Sequence, residues 1–216
     1  PEPTTALHPR GAVDVMAELL RASSTPVTIA AIGPLTNVAL LLAVHPELLA
    51  NVGRVVVMGG SMTVGNTTGA AEFNIYSDPE AAQRVLCRPE LAVTMVPLDL
   101  TVRCAVPGGW LDALAHAGPR CAALAGLVGH YRARYTERYG FDGVALHDAV
   151  AVLEAAVPGT LSTAALALEV ACDLGPARGA TVVDRTASAA TVAVARDTDI
   201  AALHATVLNR LRSLDA

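Results

Sequence analysis

VTIAAIGPLTNVALLLAVHPELLANVGRVVVMGG, residues 27–60, reads as a strand, a helix and a second strand. The opening VTIAAI (27–32) is short, apolar and partly β-branched, as a buried strand should be. Gly33-Pro34 turns the chain, and Thr36 is placed to cap a helix running through NVALLLA to His45-Pro46. A shorter helical turn follows, and RVVVMGG (54–60) is a second strand closed by two glycines.

The same alternation continues outward. Upstream, GAVDVMAELLRA (11–22) puts Val13, Met16, Leu19 and Leu20 on one helical face, and the stretch from Ser23 to Pro26 ends it. Downstream, SMTVGNTTGAAEFNIYS (61–77) has no hydrophobic period and reads as a long loop. Asp78-Pro79-Glu80 then supplies an N-cap, a first-turn proline and a dipole-friendly acid for a helix reaching Cys87. LAVTMVPL (91–98) is a third strand, residues 109–139 are mostly helical, and Gly140 to Leu146 is a loop. His147-Asp148 opens the apolar helix AVAVLEAAV; ALALEVA, ATVVD and TVAVA form a small strand group, and a last helix spans about 199–213. This order predicts an α/β fold in one domain, 1–216, with a mostly parallel sheet flanked by helices. Ligands of such sheets sit beyond the carboxyl ends of the strands. That rule selects Ile32-Gly33, Met58 with the loop after it, and the loop before His147. A sheet of this kind normally opens with a strand that carries ligand chemistry, whereas this chain opens with a helix.

Composition narrows the partners. Of 216 residues, 53% are hydrophobic and only 3% aromatic, so the core is built from Ala, Val and Leu. A net charge of -5 argues against nucleic acid as a partner, because phosphate backbones demand clustered positive charge. Cys87, Cys104, Cys121 and Cys172 lie far apart and suggest neither a zinc site nor a disulfide framework, which points to a reducing cytoplasm. No apolar run approaches the ~20 residues that span a bilayer, so no membrane is expected. The N-terminus carries no signal-peptide pattern and begins Pro-Glu-Pro without a methionine, which is compatible with a gene that starts upstream.

Two places carry candidate chemistry. The loop 61–77 offers Asn66, Glu72 and Asn74, interleaved with Val64, Phe73, Ile75 and Tyr76. Amides and a carboxylate held on irregular backbone suit sugar hydroxyls, which both donate and accept; the plainer reading is that the asparagines satisfy loop backbone groups. At His147-Asp148 the plain reading is a helix cap, while the functional one is a cation-binding carboxylate beside a proton-donating histidine. Tyr131 and Tyr135, four apart on one helical face, fit either a base-stacking pair or a core pair. His8, His45, His116, His130 and His204 show no ligand spacing and read as structural or exposed.

Taken together, AIGPLTNVAL (31–40), VVVMGGSMTVGN (55–66), AAEFNIYSDPEAA (70–82), LHDAVAV (146–152) and ARGATVVDR (177–185) resemble, in order, the motifs of the inosine/uridine-preferring nucleoside hydrolases. The resemblance implies a Rossmann-like hydrolase that cuts the N-glycosidic bond of ribonucleosides in purine and pyrimidine salvage, usually as a homo-oligomer. It further implies a calcium ion held in part by the backbone carbonyl of Ile32 and by Asp148. Asn66, Glu72 and Asn74 would grip the ribose, Met58 and Phe73 would line its pocket, and His147 would protonate the departing base beside Tyr131 and Tyr135. The family's Asp-x-Asp-x-Gly-x-Asp-Asp motif, which supplies most calcium carboxylates and the water-activating base, is absent from the 216 residues. The chain is therefore expected to be a C-terminal portion lacking the first strands and inactive by itself. The alternative is a non-catalytic ribose- or nucleoside-binding relic, or a structural subunit.

Overall fold

The computed structural model describes residues 5–187, 189 and 192–215. The chain runs through α1 (Ala12–Ala22), β1 (Val27–Ala31), α2 (Thr36–Val44), a 3-10 turn (Pro46–Asn51) and β2 (Val52–Met58). It continues through α3 (Phe73–Ser77), α4 (Pro79–Leu86), β3 (Val93–Val96), α5 (Leu98–Arg103), β4 (Val106–Pro107), α6 (Gly108–Ala115) and α7 (Pro119–Tyr139). The last part holds β5 (Gly143–Val144), α8 (His147–Ala156), β6 (Ser162–Leu166), β7 (Leu168–Val170), β8 (Thr181–Val183), β9 (Val192–Asp197) and α9 (Ile200–Arg212). The main sheet has the order β1-β2-β3-β9-β6, parallel except where β6 runs against β9. The expected α/β architecture with a mostly parallel sheet is the one observed. Two small antiparallel ladders, β4 with β5 and β7 with β8, stand beside the sheet.

The strands are apolar at consecutive positions because both faces are covered. On one face Val55, Val57, Val93, Met95, Val192 and Val194 pack with Leu20 of α1, Leu41 of α2 and Val85 of α4. On the other, Val56, Met58, Val96 and Ala195 pack with Leu100 of α5, Val150 and Leu153 of α8, and Leu203 of α9. Strand β1 is the outer strand, paired only with β2 among the described residues. Leu19, Leu40, Val44 and Val152, on helices that flank this end of the sheet, keep exposed side chains. No described helix is long and apolar enough to cross a membrane.

Four local readings need correction. Thr36 does not cap α2: Leu35 is the N-cap residue, and the Thr36 hydroxyl instead donates to Asp78 Oδ2 at 2.5 Å, tying α2 to the cap of α4. The predicted loop 61–77 ends in the helical turn α3. The predicted strand 91–98 stops at Val96, and Pro97 initiates α5, a helix too short to show a period. The predicted loop 140–146 contains the short strand β5. Asp78 does cap α4, accepting from the Ala81 N–H at 3.0 Å.

One buried ion pair sets the direction of α8. Arg54, near the start of β2, donates Nη1–H to Glu154 Oε1 at 3.1 Å and Nη2–H to the Glu154 carbonyl at 2.5 Å. Glu154 also accepts from the Gly159 and Leu161 N–H groups. The end of α8 is thus pinned to the start of β2, so the helix runs antiparallel to that strand. From Glu154 back to His147 the helix rises about 10 Å, close to the span of about 13 Å from Arg54 to Met58 at about 3.3 Å per residue. The first turn of α8, with His147 and Asp148, consequently lies at the carboxyl edge beside Met58. Glu154 is 4% exposed, so losing its partner strands a buried carboxylate. Arg54→Met is expected to lower the unfolding free energy by on the order of 3 kcal/mol, measured by urea denaturation; a change below about 1 kcal/mol would mean that the pair holds nothing in place.

Candidate active site

The carboxyl edge of β2 is organised by Glu72. This side chain is 2% exposed and caps α3: Oε1 accepts from the Asn74 N–H at 2.9 Å, while Oε2 accepts from Gly60 at 3.0 Å and Ile75 at 3.2 Å. Gly60 meets it with φ +77°, a left-handed conformation that a residue with a Cβ adopts only under strain. Burial raises the Glu72 carboxyl above its usual range, the three backbone hydrogen bonds oppose that shift, and the charge of Asp148 adds to it. The last cause shows Asp148 to be an electrostatic neighbour of Glu72. Asn74, also buried, donates through Nδ2 to the Met58 carbonyl at 3.0 Å and lies 3.5 Å from its sulfur. Its amide oxygen is the remaining polar atom. Glu72, Asn74 and Met58 are therefore one bonded unit.

The loop between them is held from outside as well. Asp99, in the first turn of α5, accepts from the Met62 N–H at 2.7 Å and from the hydroxyls of Thr63 at 2.5 Å and Ser61 at 3.2 Å. Thr181 of β8 accepts from the Ser61 N–H and donates its hydroxyl to the Ser61 carbonyl. Farther along, Asn66 Oδ1 accepts from the Phe73 N–H at 3.0 Å, which closes the loop. Gly65 is required there, since a Cβ would fall 2.2 Å from the Ala71 carbonyl oxygen. Both asparagines do satisfy backbone groups, yet each spends only one end of its amide on them.

Beside this unit opens a cavity of about 1280 Å³, lined by Asn66 and Phe73 from the loop, Leu98 and Val102 from α5, Tyr131, Arg134 and Tyr135 from α7, Phe141, and His147. Tyr131 and Tyr135 meet edge to face with ring centroids 5.8 Å apart, and Phe141 extends the series at 6.4 Å from Tyr135. Tyr135 is buried and Tyr131 half exposed, so the pair is both a core contact and a cavity wall. The His147 Nδ1 lies 2.7 Å from the Thr101 hydroxyl, and burial pushes its imidazole pKa down. Asp148 makes no side-chain cap: Leu146 is the N-cap residue of α8, and partial burial raises the Asp148 carboxyl. Ile32 follows β1 at the same sheet edge with an exposed side chain. Asn66, Phe73, Tyr131, Tyr135 and His147 thus share the cavity. Met58, Glu72 and Asn74 adjoin it through the Glu72-Phe73 peptide, and Asp148 adjoins it through His147.

Three residues escaped the sequence reading. Asp99 and Thr101 sit on α5, whose six residues are too few for a periodic signal. His130, read as structural or exposed, is exposed and also lines the cavity; its spacing from Arg134 on α7 was the available clue.

The sequence signature described as inosine-uridine preferring nucleoside hydrolase matches residues 1–205. The chain belongs to that family. Among its relatives, a pyrimidine-specific ribonucleoside hydrolase RihA from Klebsiella pneumoniae (strain 342) is 41% identical over 186 residues, which cover 85% of this chain and 60% of that protein. The RihA of Salmonella agona (strain SL483) is 40% identical over the same shares. The chain therefore spans 60% of the length of these curated relatives. Among solved structures, a purine-preferring ribonucleoside hydrolase from Gardnerella vaginalis superposes with a TM-score of 0.91 at 26% identity, over 100% of this chain and 69% of that one. A plant nucleoside hydrolase, PpNRh1, gives 0.89 at 26% identity, over 98% and 70%. The loop after β2 is the one clamped by Asp99.

That clamp has a pH signature. Burial raises the Asp99 carboxyl, but the bonds from Thr63, Met62 and Ser61 together outweigh it and hold the group below its ordinary value of 3.8. A depressed carboxylate stabilises the fold above the unfolded value, and this contribution is lost as pH falls through the lower folded value. Acid titration of wild type below about pH 4 should release the loop, read as faster proteolysis within residues 61–77. Asp99→Asn is expected to show that susceptibility already at neutral pH and to change little on acidification. Identical cleavage of both proteins at pH 7 would show that the carboxylate does not hold the loop.

Proposed function

We propose that this chain forms the sugar- and base-facing side of a ribonucleoside N-glycosidic hydrolase. The observation that carries the reading is the convergence, at the carboxyl edge of a parallel sheet, of an amide-and-carboxylate unit with a cavity walled by tyrosines and one half-buried histidine. The 41% identity to relatives named as pyrimidine-specific makes a pyrimidine ribonucleoside the first substrate to test.

The chemistry follows from the groups present. Breaking the C1′–N bond builds positive charge on the ribose ring, and the nearby Glu72 and Asp148 carboxylates oppose it electrostatically. Asn66 and Asn74, each with one end of the amide fixed, present the other to sugar hydroxyls. Tyr131 and Tyr135 give the base an aromatic wall, and His147 offers a proton to its leaving nitrogen. Water adds its oxygen to C1′, so that ribose and the free base are the products.

Calcium is the metal that the resemblance implies. No group of three or more His, Cys, Asp or Glu side chains able to hold a metal occurs among the described residues. The Ile32 carbonyl and Asp148 supply a small part of the six to eight oxygens that calcium takes. The described residues by themselves do not fit the ion. The same fact favours a second reading, a nucleoside-binding chain without catalysis.

Base release from uridine by the native gene product separates the two readings: turnover supports the hydrolase, and binding without turnover supports the second. The 216-residue polypeptide expressed alone is expected to release no base with calcium present. In the native gene product, Asn66→Asp keeps an oxygen for the Phe73 N–H and removes the amide donor. It is expected to lower kcat/KM by on the order of 100-fold with an unchanged melting temperature. Unaltered kinetics would remove Asn66 from the sugar site.

A further inference from the structure

The hydroxyl of Thr101 is fully buried and has two polar neighbours: the Leu98 carbonyl at 3.2 Å and His147 Nδ1 at 2.7 Å. It owns one proton. A carbonyl oxygen only accepts, so both contacts are hydrogen bonds in one arrangement alone: Thr101 Oγ1–H donates to Leu98, and His147 Nδ1–H donates to Thr101 Oγ1. If the hydroxyl turned to donate to Nδ1, the contact to Leu98 would be lost, although the Thr101 side chain is fully buried. His147 lines the cavity while its Nδ1 is tied on the core side, which leaves Nε2 as the ring nitrogen that meets a ligand.

We propose that Thr101 is a positioning residue that fixes the tautomer and ring orientation of His147, keeping the proton on Nδ1 so that Nε2 is the atom exchanging a proton with the departing base. This assignment rests on the ribonucleoside-hydrolase reading. In the step it serves, the C1′–N bond breaks with its electron pair passing to the base nitrogen, and that nitrogen takes the proton carried on Nε2. The water oxygen bonds to C1′, the proton it sheds passes to solvent, and Nε2 is reprotonated from solvent. Nδ1–H stays bonded to Thr101 throughout. Two other features place this duty on Thr101: it sits on the same one-and-a-half-turn helix as Asp99, and that helix also lines the cavity through Leu98 and Val102.

The first test is nitrogen NMR of His147 in the neutral imidazole form, in wild type, Thr101→Val and Thr101→Ser. Wild type and the serine variant should show a protonated Nδ1 and a bare Nε2, and the valine variant should lose that preference. An unchanged tautomer in Thr101→Val, or a serine variant that behaves like valine, overturns the assignment. The second test compares uridine with a nitrophenyl riboside, whose phenolate leaves without a proton. Thr101→Val in the native gene product should lose on the order of 100-fold in kcat on uridine, at least tenfold more than on the nitrophenyl riboside, with KM little changed and serine restoring the rate. Equal losses on both substrates would mark a merely structural threonine. If wild type cleaves neither substrate, the hydrolase reading falls, while the NMR result still decides what Thr101 does to the ring.

Discussion

A carboxylate with no ion-pair partner among the described residues lies at the centre of this structure. Glu72 is almost wholly removed from water, and what offsets its desolvation is three main-chain N–H groups, drawn from Gly60 at the end of one segment and from Asn74 and Ile75 at the start of another. Such an arrangement is demanding. Each N–H must point inward, so Gly60 takes a left-handed turn and residues 73–77 wind into a helical turn whose only cap is Glu72 itself. The path of the loop is a consequence of satisfying one acid. Asn74 and the peptide that carries Phe73 are then placed without further choice.

The rest of the fold supplies the other side of the site by a different device. A parallel sheet covered on both faces gives α8 a long apolar surface to lie on, and packing alone would let such a helix slide. The Arg54–Glu154 pair fixes its far end, and the near end therefore delivers His147 and Asp148 to the level of Met58. Short-range polar bonds and long-range apolar packing thus divide the work: one fixes the loop, the other fixes the helix.

Much of this was legible in the residues. The consecutive valines of β2, the Gly-Pro turn and the Asp78-Pro79 start of α4 report backbone and burial directly, and they were read correctly. The sites where reading failed share a cause. Thr36 looks like a cap, but its hydroxyl has a better acceptor in Asp78, 42 residues away. Asp99 and Thr101 lie in a helix of six residues, where no period can develop, and their partners Met62, Thr63 and His147 are contacts of tertiary structure. The candidate residues Asn66, Glu72, Asn74, His147 and Asp148 were found because they occur as a recognisable series, while their support was invisible because it comes from elsewhere in the chain.

The way the loop is fastened has a consequence for change over time. Asp99, Glu72, Asn66 and Thr181 all grip main-chain atoms of the segment, or hydroxyls near its beginning, so its course is set independently of the side chains at Thr67 and Phe73 that look into the cavity. Those positions, together with Arg134 and Tyr131 on the opposite wall, form a replaceable lining on a fixed frame. A lineage could exchange that lining one residue at a time without re-solving the problem of holding the loop.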